Sequence, residues 1–289
     1  MRVGVVIATK GRPEVAALVV QELTRQTVAP DVIVIAVCDL ADAPGVSGGN
    51  IMIVESRAGS STQRNAGLEL LADTVDIVVF FDDDFVPSRY WIENLCALFA
   101  SRADVVAVTG KLLADGIKTA GLAWAEAVSL VERADRTARR SSSVVRDDVL
   151  PYGCNMAFRR AAIGELRFDE RLVLYGWQED TDFGARSATR GRCVYTDALW
   201  GVHLGTKRGR SRGLPLGYSQ MVNPRYLVAK GTMQPRKALN LAGGNIAANA
   251  LRALYPEPYI DRLGRLRGNL VGLWDIVTGR WRPERAAEL

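Results

Sequence analysis

The first half of the chain alternates between short apolar runs and segments with helical spacing. Five runs rich in β-branched residues occupy residues 2–8, 32–37, 51–55, 75–81 and 105–112. Apolar residues recur at three- and four-residue intervals in segments 13–26, 61–71 and 88–100. Buried strands that alternate with helices are typical of a largely parallel sheet covered by helices. The pattern therefore predicts an α/β fold.

The second half is less regular. Residues 124–130 carry an apolar helical stripe, and we expect the charged run that follows it, residues 132–148, to form a mobile surface loop. A helix is expected to begin near Glu179, a strand to occupy residues 192–195, and helices to occupy residues 239–254 and 259–277. The basic, glycine-rich residues 206–217 indicate a flexible connection. We therefore predict a main domain at residues 1–205 and a basic, mainly helical C-terminal extension at residues 206–289.

The composition is that of a globular protein. Of its 289 residues, 48% are hydrophobic and 24% are charged, which excludes disorder over most of the chain. The four cysteines form no CxxC pair, so neither a zinc knuckle nor a disulfide framework is indicated. The N-terminal apolar run is about seven residues long, too short for a signal peptide, and no uninterrupted apolar run reaches about 18 residues. We therefore expect a cytoplasmic protein.

The positive charge belongs to the C-terminal part. From Leu204 onward there are fifteen Lys and Arg residues against five Asp and Glu residues, although the whole chain carries a formal charge of only +5. Such a segment could meet anionic lipid, nucleic acid or an acidic substrate, and composition alone leaves the three open.

Three consecutive carboxylates, Asp82, Asp83 and Asp84, follow the apolar run VVFF. Side chains alternate along a strand, so Asp82 and Asp84 are expected to point the same way at the carboxyl end of a strand, where α/β sheets bind ligands. Such carboxylates suit Mn²⁺ or Mg²⁺ bound to a diphosphate. The one histidine, His203, could add a nitrogen ligand. The alternatives are an acidic turn that caps a helix at Ser88 and a histidine that is simply packed and hydrogen-bonded.

A second acidic group, Glu179, Asp180 and Asp182, opens the helix expected near residue 179. Acidic residues in a first helical turn also stabilise the helix without any catalytic task. The glycine and Trp177 just before them indicate a pocket rim instead. In a water-poor pocket, one of these carboxylates can accept the proton of an attacking hydroxyl, and we assign that role to Asp180.

Nucleotide contacts are expected where the first strands end. The candidates are Ala8, Thr9, Arg12, Asp39 and Arg64. Asp39 can accept a base N–H, and Arg64 lies in a glycine-marked helix start that suits phosphate. An ordinary turn residue is the alternative for Asp39. The GxGxxG and GxxxxGK[ST] motifs are absent from the sequence, so the Rossmann dehydrogenase and P-loop classes lack their motifs.

Five segments, VVIATKGRP, the stretch from Gly59 to Gly67, FFDDDFVP, GCNMAFRR and FDERLVLYGWQEDTDFGARSATRG, follow one another in this order. In order and spacing they resemble the family 2 glycosyltransferases of the GT-A fold. The resemblance covers about residues 1–205. It implies a nucleotide-binding, mostly parallel sheet flanked by helices, and a catalytic domain over those residues.

The resemblance also implies an inverting, single-displacement transfer of a sugar from a nucleotide-diphosphate donor to an acceptor hydroxyl. Asp82 to Asp84 match the family's DxD metal motif, with Asp83 also near the nucleotide, and Asp180 matches the presumed base in its ED motif. The other implied site residues are nucleotide contacts (Thr9, Asp39), a segment that lines the donor-sugar and acceptor pocket (Gly153, Cys154, Asn155) and a metal ligand in some relatives (His203). We add Trp177 and Glu179, at the expected pocket rim, to the donor and acceptor pocket. This chain departs from many relatives at Ala8 to Arg12 and at Cys38 to Leu40.

Several functional hypotheses remain open from the sequence. The first is an enzyme of polysaccharide or glycolipid biosynthesis, with UDP favoured as the donor nucleotide and a glycan or lipid-linked acceptor. Its basic tail, with arginines and tryptophans from Arg262 to Trp281, would make a peripheral contact with anionic membrane at the inner face of the plasma membrane. The others are a nucleotide-sugar-binding protein without turnover and a nucleotidyltransferase. Nucleic-acid binding is not expected, because no such motif accompanies the arginines.

Overall fold

The computed structural model describes residues 1–43, 45–46, 48–71, 74–137, 145–207 and 213–289. Its strands are β1 (Val3–Ala8), β2 (Val32–Val37), β3 (Ile51–Glu55), β4 (Ile77–Asp82), β5 (Phe85–Pro87), β6 (Val105–Asp115), β7 (Val145–Asp147), β8 (Asn155–Arg159) and β9 (Arg192–His203). Its α-helices are α1 (Pro13–Thr24), α2 (Ser60–Leu71), α3 (Trp91–Ser101), α4 (Trp124–Thr137), α5 (Arg160–Ile163), α6 (Glu179–Ser187), α7 (Gly213–Lys230), α8 (Pro235–Ala253) and α9 (Arg262–Val277).

These strands form one sheet in the order β3-β2-β1-β4-β8-β6-β9-β5, with β7 paired to β9. The half that runs from β3 to β4 is entirely parallel. Strand β8 is antiparallel to both β4 and β6, whereas β6 and β9 are parallel to each other. The predicted α/β class, with a mostly parallel sheet flanked by helices, is confirmed.

The core lies where the central strands meet the helices that follow them in sequence. Strand β4 is buried through Phe81, as its unbroken apolar run requires. The ring of Phe81 stacks on Phe85, with centroids 5.0 Å apart, and meets Trp91 edge-on at 4.7 Å. Aromatic contacts of this kind stabilise the core beyond the burial of their area. They fix the chain on both sides of Asp82, Asp83 and Asp84.

The chain divides into two compact units. The first consists of residues 1–58, 63–167 and 186–209, and it contains the whole sheet. The second consists of residues 59–62, 168–185 and 210–289, and it contains helices α7, α8 and α9. The mainly helical character predicted for the C-terminal segment is therefore present. The boundary at residue 205 between a catalytic domain and an extension stays a prediction.

The loop predicted at residues 132–148 is partly wrong. Residues 132–137 continue helix α4, and residues 145–147 form strand β7, whereas residues 138–144 lie outside the described part of the chain. The helix continues because its apolar stripe does: Ala127 and Val131 are buried against the sheet. Asp135, one turn later, accepts hydrogen bonds from Ser88 Oγ (2.7 Å) and Trp200 Nε1 (2.8 Å). A charged segment can remain helical where its acidic side chains accept hydrogen bonds from the rest of the fold.

The flexible connection predicted at residues 206–217 is also wrong at its C-terminal end. Residues 208–212 are not described, but helix α7 includes the residues from Gly213 onward. The sequence pattern did not predict this part of α7, because glycine and proline usually interrupt helices. The glycines at the contact allow close packing: a Cβ at Gly217 of α7 would lie 2.0 Å from the carbonyl oxygen of Arg265, and one at Gly268 of α9 would lie 2.1 Å from that of Leu214. Helices α7 and α9 therefore touch backbone to backbone.

Two strands are longer than predicted, and both extensions lead to the candidate site. Strand β6 continues to Asp115, and β9 continues from Tyr195 to His203. Strand β5 pairs with the last part of β9, so helix α3 begins at Trp91 rather than at Ser88. Among the helices that the structure describes, none has the length and apolar character needed to cross a membrane.

The close contact of α7 with α9 gives a test of packing. We expect Gly268→Ala to lower the free energy of unfolding by about 1 to 3 kcal/mol, because the added methyl group overlaps backbone that cannot move aside. The matched control is Gly243→Ala in α8, where a Cβ would meet nothing within 4 Å. That change should be neutral or stabilising. Urea denaturation followed by circular dichroism compares the two, and equal midpoints would contradict the packing argument.

Candidate metal and nucleotide site

The site is built on the three acids after β4. The strand ends at Asp82, and a tight turn through Asp83 and Asp84 leads directly into β5. Asp83 and Asp84 are buried, and Asp82 is half-buried. A buried carboxylate must be paired with a cation or hydrogen-bond donors, because desolvating its charge is costly. The neighbours of each acid therefore define what the site can do.

His203 brings β9 and β6 to the same place. It pairs in register with Phe85 of β5 on one side and with Asp115 of β6 on the other. Its Nε2 lies 3.3 Å from Asp84 Oδ1 and 3.8 Å from Asp82 Oδ2. One ligand atom from each of Asp82, Asp84 and His203 falls within 4.8 Å of the others. The structure thus brings together the three residues proposed from sequence as metal ligands.

Asp115 orients the imidazole. His203 Nδ1 lies 2.9 Å from Asp115 Oδ1, and Tyr152 donates its hydroxyl to Asp115 Oδ2 at 3.4 Å. A carboxylate on one ring nitrogen fixes the orientation of the other, which here is Nε2 facing Asp82 and Asp84. This is the arrangement in which protein imidazoles usually bind metal ions.

The electrostatics of this cluster favour a cation. Burial alone would lower the pKa of His203, but its bonds to Asp115 and Asp84 raise that pKa to about 10. Burial alone would likewise raise the pKa of Asp84, but the bond to His203 and the charge of Arg12 hold it well below its usual range. Two carboxylates and an imidazole form a donor set that suits Mn²⁺ and also Mg²⁺ through its oxygens. These residues therefore fit a divalent cation.

Asp83 points to different partners. Its Oδ2 accepts a hydrogen bond from Thr9 Oγ1 at 2.6 Å, and its Oδ1 lies 2.8 Å from an Arg12 nitrogen. Burial raises its pKa to about 7 in spite of the Arg12 charge. Arg12 also reaches Asp84 Oδ2 at 3.5 Å. Three residues assigned to the nucleotide from sequence, Thr9, Arg12 and Asp83, are thus bonded to one another at the end of β1, and their contact with a nucleotide stays a prediction.

The start of helix α2 supports the strand ends. Gln63 Nε2 donates to the carbonyl oxygens of Thr9 (2.7 Å) and Ala36 (2.8 Å), which joins the ends of β1 and β2. Arg64 is buried and donates to Asp82 Oδ1 at 2.9 Å and to the carbonyl oxygen of Gly153 at 3.1 Å. Arg64 therefore lies on the metal-ligand cluster. The predicted contact of Arg64 with a diphosphate stays a prediction.

The segment Gly153, Cys154 and Asn155 borders the same strand end. The carbonyl oxygen of Cys154 accepts from the Asp82 amide at 3.2 Å, and Asn155 begins β8, which pairs with β4. Asn155 is fully buried, and its Oδ1 accepts from Thr109 Oγ1 at 2.8 Å. Its Nδ2 has no hydrogen-bond partner among the described residues. A buried donor without a partner is rare in folded proteins and requires an explanation, of which a bound ligand is one.

The two remaining nucleotide candidates lie at neighbouring strand ends. Ala8 is the last residue of β1 and pairs in register with Ala36 and Asp82. Asp39 is exposed two residues after β2, and its Oδ1 accepts from the Ala41 amide at 2.9 Å. Asp42, three residues later, accepts from the Gly11 amide at 2.6 Å and so holds the turn after β1. Asp39 has the local partner of a turn residue while its exposed side chain remains accessible.

The acids of helix α6 belong to the second unit. Three residues before them, Leu174, Gly176 and Gln178, have φ values of 60°, 73° and 77°. This strained segment is held by hydrogen bonds from Ser60 to the carbonyl oxygens of Leu174 and Tyr175. Left-handed backbone at residues other than glycine costs energy and clusters at functional sites.

The acids themselves differ in environment. Asp182 is fully buried, with Lys230 Nζ 2.9 Å from Oδ2 and Thr232 Oγ1 donating to Oδ1 at 2.8 Å. Asp182 therefore joins the start of helix α6 to the end of α7 and the residues that follow it, within the second unit. Glu179 is buried and Asp180 half-buried at the helix start, and Trp177 just before them accepts from Asn223 Nδ2 at 2.9 Å through its carbonyl oxygen.

Sequence reasoning missed several residues of the site. Asp115 was left outside because the strand was predicted to end at residue 112, and extending it would have placed a carboxylate at another strand end. Gln63 lay unnoticed beside Arg64. Thr206 was placed in the flexible connection, but its amide donates to Asp84 Oδ2 at 2.7 Å. Local sequence carried no signal for this last contact, because its partner lies 122 positions away.

The cluster predicts a metal-dependent gain in stability. We expect Mn²⁺ at a hundredfold excess over its dissociation constant to stabilise the protein by about 2.7 kcal/mol, and EDTA to reverse the effect. Asp84→Asn should abolish the gain, because it removes a ligand carboxylate. The measurement is the melting temperature of each protein with and without Mn²⁺, so any intrinsic loss of stability in the variant cancels. An equal Mn²⁺ shift in both proteins would exclude Asp84 as a ligand.

Asp115 gives a second prediction. Asp115→Asn should raise the Mn²⁺ dissociation constant about tenfold to a hundredfold, because the imidazole of His203 loses the carboxylate that orients it. Isothermal titration calorimetry measures the constant without any catalytic assay. Asp147→Asn, on β7 and outside the ligand cluster, is the matched control and should leave the constant unchanged. Unaltered Mn²⁺ binding in the Asp115 variant would refute the positioning role.

Residues 1–199 match the model of the family described as glycosyltransferase like family 2. No curated protein matches the chain in sequence. Among solved structures, the mannosyltransferase PcManGT from Pyrobaculum calidifontis, in complex with GDP-Man and Mn²⁺, is similar over 95% of this chain and 87% of its own. Its sequence identity is 16% and the TM-score is 0.54.

Two structures of TarS from S. aureus are also similar. A TarS crystal structure matches 83% of this chain with 12% identity and a TM-score of 0.51, and this chain spans only 42% of its length. TarS 1-349 in complex with UDP-GlcNAc matches 79% of this chain and 67% of its own, with 12% identity and a TM-score of 0.50. At these identities the likeness shows the GT-A fold alone. Because the family model covers more than half of the chain, the protein belongs to glycosyltransferase family 2 and is a glycosyltransferase of the GT-A fold.

Proposed function

We propose that this enzyme moves a sugar from a nucleotide-diphosphate donor to an acceptor hydroxyl in a single, inverting displacement. The observation that carries the proposal is the cluster of Asp82, Asp84 and His203 at the carboxyl end of β4. This is the edge of the sheet at which α/β proteins bind nucleotides. A donor diphosphate placed there would lie beside Asp82, Asp84 and His203, the one group of three potential metal ligands found among the described residues.

Asp82, Asp84 and His203 would hold Mn²⁺ or Mg²⁺. When bound, the ion supplies Lewis-acid stabilisation of the charge that builds on the leaving diphosphate. Asp115 fixes the direction of the His203 ring, and Arg64 donates to Asp82 Oδ1, the oxygen that does not face His203. The ligand carboxylates are thus oriented before the donor arrives, which lowers the cost of ordering them during the reaction.

The nucleoside would lie over the ends of β1 and β2. Ala8 and Thr9 would border the base, Asp39 would accept a base N–H, and Arg12 and Arg64 would face the phosphates. Support comes from the hydrogen bonds of Gln63, which hold the ends of both strands in one arrangement. Asn155 would donate its unpartnered Nδ2 to the donor sugar or the acceptor, beside Gly153 and Cys154.

Asp180 would act as the general base. Of the acids that open helix α6, Asp182 is occupied by Lys230 and Thr232, so its carboxylate serves the structure of the second unit. Asp180 is half-buried and follows a strained segment, while Trp177 and Glu179 beside it would border the acceptor. A carboxylate in such an environment can accept the proton of the acceptor hydroxyl as its oxygen forms the new bond to the anomeric carbon.

Donor and acceptor identity are finer parts of the proposal. UDP remains the favoured nucleotide, while the similar structures bind either GDP-Man or UDP-GlcNAc. The acceptor would be a glycan or a lipid-linked glycan of a polysaccharide or glycolipid pathway. The free cysteines Cys38, Cys96, Cys154 and Cys193 are consistent with the reducing cytoplasm in which we place the reaction. A thermal-shift screen of nucleotide sugars with Mn²⁺ identifies the donor, because a ligand of the folded state raises its melting temperature.

Product analysis separates this proposal from its rivals. Transfer of a sugar releases a nucleoside diphosphate, whereas a nucleotidyltransferase releases pyrophosphate. A nucleotide-sugar-binding protein without turnover would bind the donor and release neither. Nuclear magnetic resonance of the product then reports the anomeric configuration, and retention would contradict the inverting displacement.

The role of Asp180 is tested by Asp180→Asn. We expect the turnover number to fall by about 10² to 10⁴ while the donor dissociation constant stays within about threefold, because only the base is lost. Donor binding is measured by calorimetry and turnover by nucleoside diphosphate release. Glu165→Gln, an exposed acid of the first unit, is the control and should change neither. Full turnover in the Asp180 variant would assign the base to another residue.

A further inference from the structure

Helices α8 and α9 of the second unit have their polar sides turned inward. Asn249 and Asn269 are buried and hydrogen-bonded to each other at 2.9 Å, and both meet Gln220 of α7. Arg262 donates to Asn249, and buried Asp275 is bonded to Arg285 and Tyr218. A helix on the surface of a globular protein normally buries its apolar face and exposes its polar face. Here the hydrogen-bonded side faces the protein.

The opposite sides of these two helices are apolar and exposed. The outer face, as we define it, consists of Leu239, Leu251 and Leu254 of α8 and its end together with Leu263, Leu270, Leu273, Trp274 and Val277 of α9. The exposed fraction reaches 74% for Leu239 and 80% for Val277. Single exposed leucines need no explanation, but a concentration of this kind marks an interaction surface.

The spacing shows that this face is a helical stripe rather than scatter. Leu263, Leu270, Trp274 and Val277 follow one another at intervals of seven, four and three residues, which places them on one side of α9. In α8, no charged residue occurs between Lys237 and Arg252, a stretch of about four helical turns. Exposed Arg267, four residues after Leu263 and three before Leu270, lies on the same side of α9. Both helices therefore present apolar sides that contain no carboxylate.

The charges around the outer face are positive. Residues 236–280 contain seven Lys and Arg residues and three acids. Two of those acids are neutralised, because Glu257 is paired with Arg252 and Arg262 and Asp275 is buried against Arg285. The third, Asp261, caps α9 through the Gly264 amide. Exposed cations remain at Arg236, Lys237, Arg267 and Arg280.

We propose that the outer face of α8 and α9 inserts into the headgroup and acyl boundary of an anionic bilayer, with the two helices lying in the plane of the membrane. An apolar stripe with an exposed tryptophan and nearby basic residues is the pattern of interfacial helices, and a long Arg side chain such as that of Arg267 can reach the headgroups. Burial of the leucines supplies affinity, and the cations meet anionic headgroups. Insertion of apolar side chains goes beyond electrostatic docking of a basic tail, because it predicts binding that survives screening by salt.

A second copy of the chain is the rival occupant. In a twofold dimer the same patch faces itself, so the four exposed cations of each copy would meet a patch that offers one exposed acid, Asp261. Like charges brought together at an interface are unfavourable. A bilayer with anionic lipids meets both the apolar stripe and its cations. The proposal does not depend on the transfer reaction, although a membrane-bound enzyme would have direct access to a lipid-linked acceptor.

The experiment measures flotation of the full chain with lipid vesicles. The vesicles contain phosphatidylcholine alone or with 30% phosphatidylglycerol, at about 0.1 M and 0.5 M NaCl. We expect the wild type to bind the anionic vesicles at both salt concentrations and to bind the neutral ones more weakly. Leu270→Ser combined with Trp274→Ser should lower the partition coefficient at least about tenfold, because two apolar anchors are removed.

The controls keep the result interpretable. Val28→Ser combined with Leu70→Ser removes two exposed apolar side chains of the first unit and should leave flotation unchanged. Circular dichroism and melting temperature confirm that both double variants are folded. Donor binding, measured by calorimetry without vesicles, should be the same in all three proteins, which would show that the substitutions spare the transfer site. Flotation requires no turnover, so failure of the proposed transfer would not affect this test.

Spectroscopy adds a direct measure of insertion. Brominated lipids should quench part of the tryptophan fluorescence in the wild type, and Trp274→Phe should remove that part. Flotation that is lost completely at 0.5 M NaCl, or that is unchanged by Leu270→Ser with Trp274→Ser, would overturn the proposal. Absence of vesicle binding together with a dimer in analytical ultracentrifugation that the same double variant dissociates would overturn it in favour of the second copy.

Discussion

The structure of the candidate site depends on how three adjacent carboxylates are neutralised at the end of a buried strand. Each acid has a different cationic partner: Arg64 for Asp82, Arg12 for Asp83 and His203 for Asp84. Without these partners the repulsion and desolvation of the acids would oppose the folding of the turn after β4. The partners come from three distant parts of the chain, so the turn links the ends of β1, α2 and β9.

The three acids also differ in the residues that surround them. Asp83 accepts a hydrogen bond from Thr9 and is paired with Arg12, and it therefore stabilises the turn after β1. Asp82 and Asp84 instead face a histidine whose nitrogen can bind a metal ion in place of a proton. The stabilisation of positive charge on His203, expressed in its raised pKa, is the same property that favours a divalent cation. The middle acid of the DDD run is therefore bonded to residues of the turn after β1, whereas the outer two lie together beside His203.

The sequence predicted this site where local pattern and position agree. The apolar run before Asp82 identifies a buried strand, and the strand-end rule then places the acids at the binding edge. His203 could be proposed because it is the only histidine. Asp115, by contrast, is recognised only from the register of β6 with β9, which no local pattern carries. Helix α7 was missed for a related reason, since its glycines serve backbone contact with α9 rather than a turn.

The second unit shows the limit of hydrophobic periodicity most clearly. Helical spacing predicted α8 and α9 correctly, because a stripe of leucines has the same period whether it faces the core or the outside. Which side is buried is decided instead by hydrogen bonding: Asn249, Asn269 and Arg262 satisfy one another inside, and a half-satisfied set would be costly. Some apolar residues, such as Leu241 and Ile276, still pack inward, but the exposed leucines lie on the opposite side from these polar groups. The apolar outer face thus accompanies a polar interior, and insertion into a bilayer would remove that face from water.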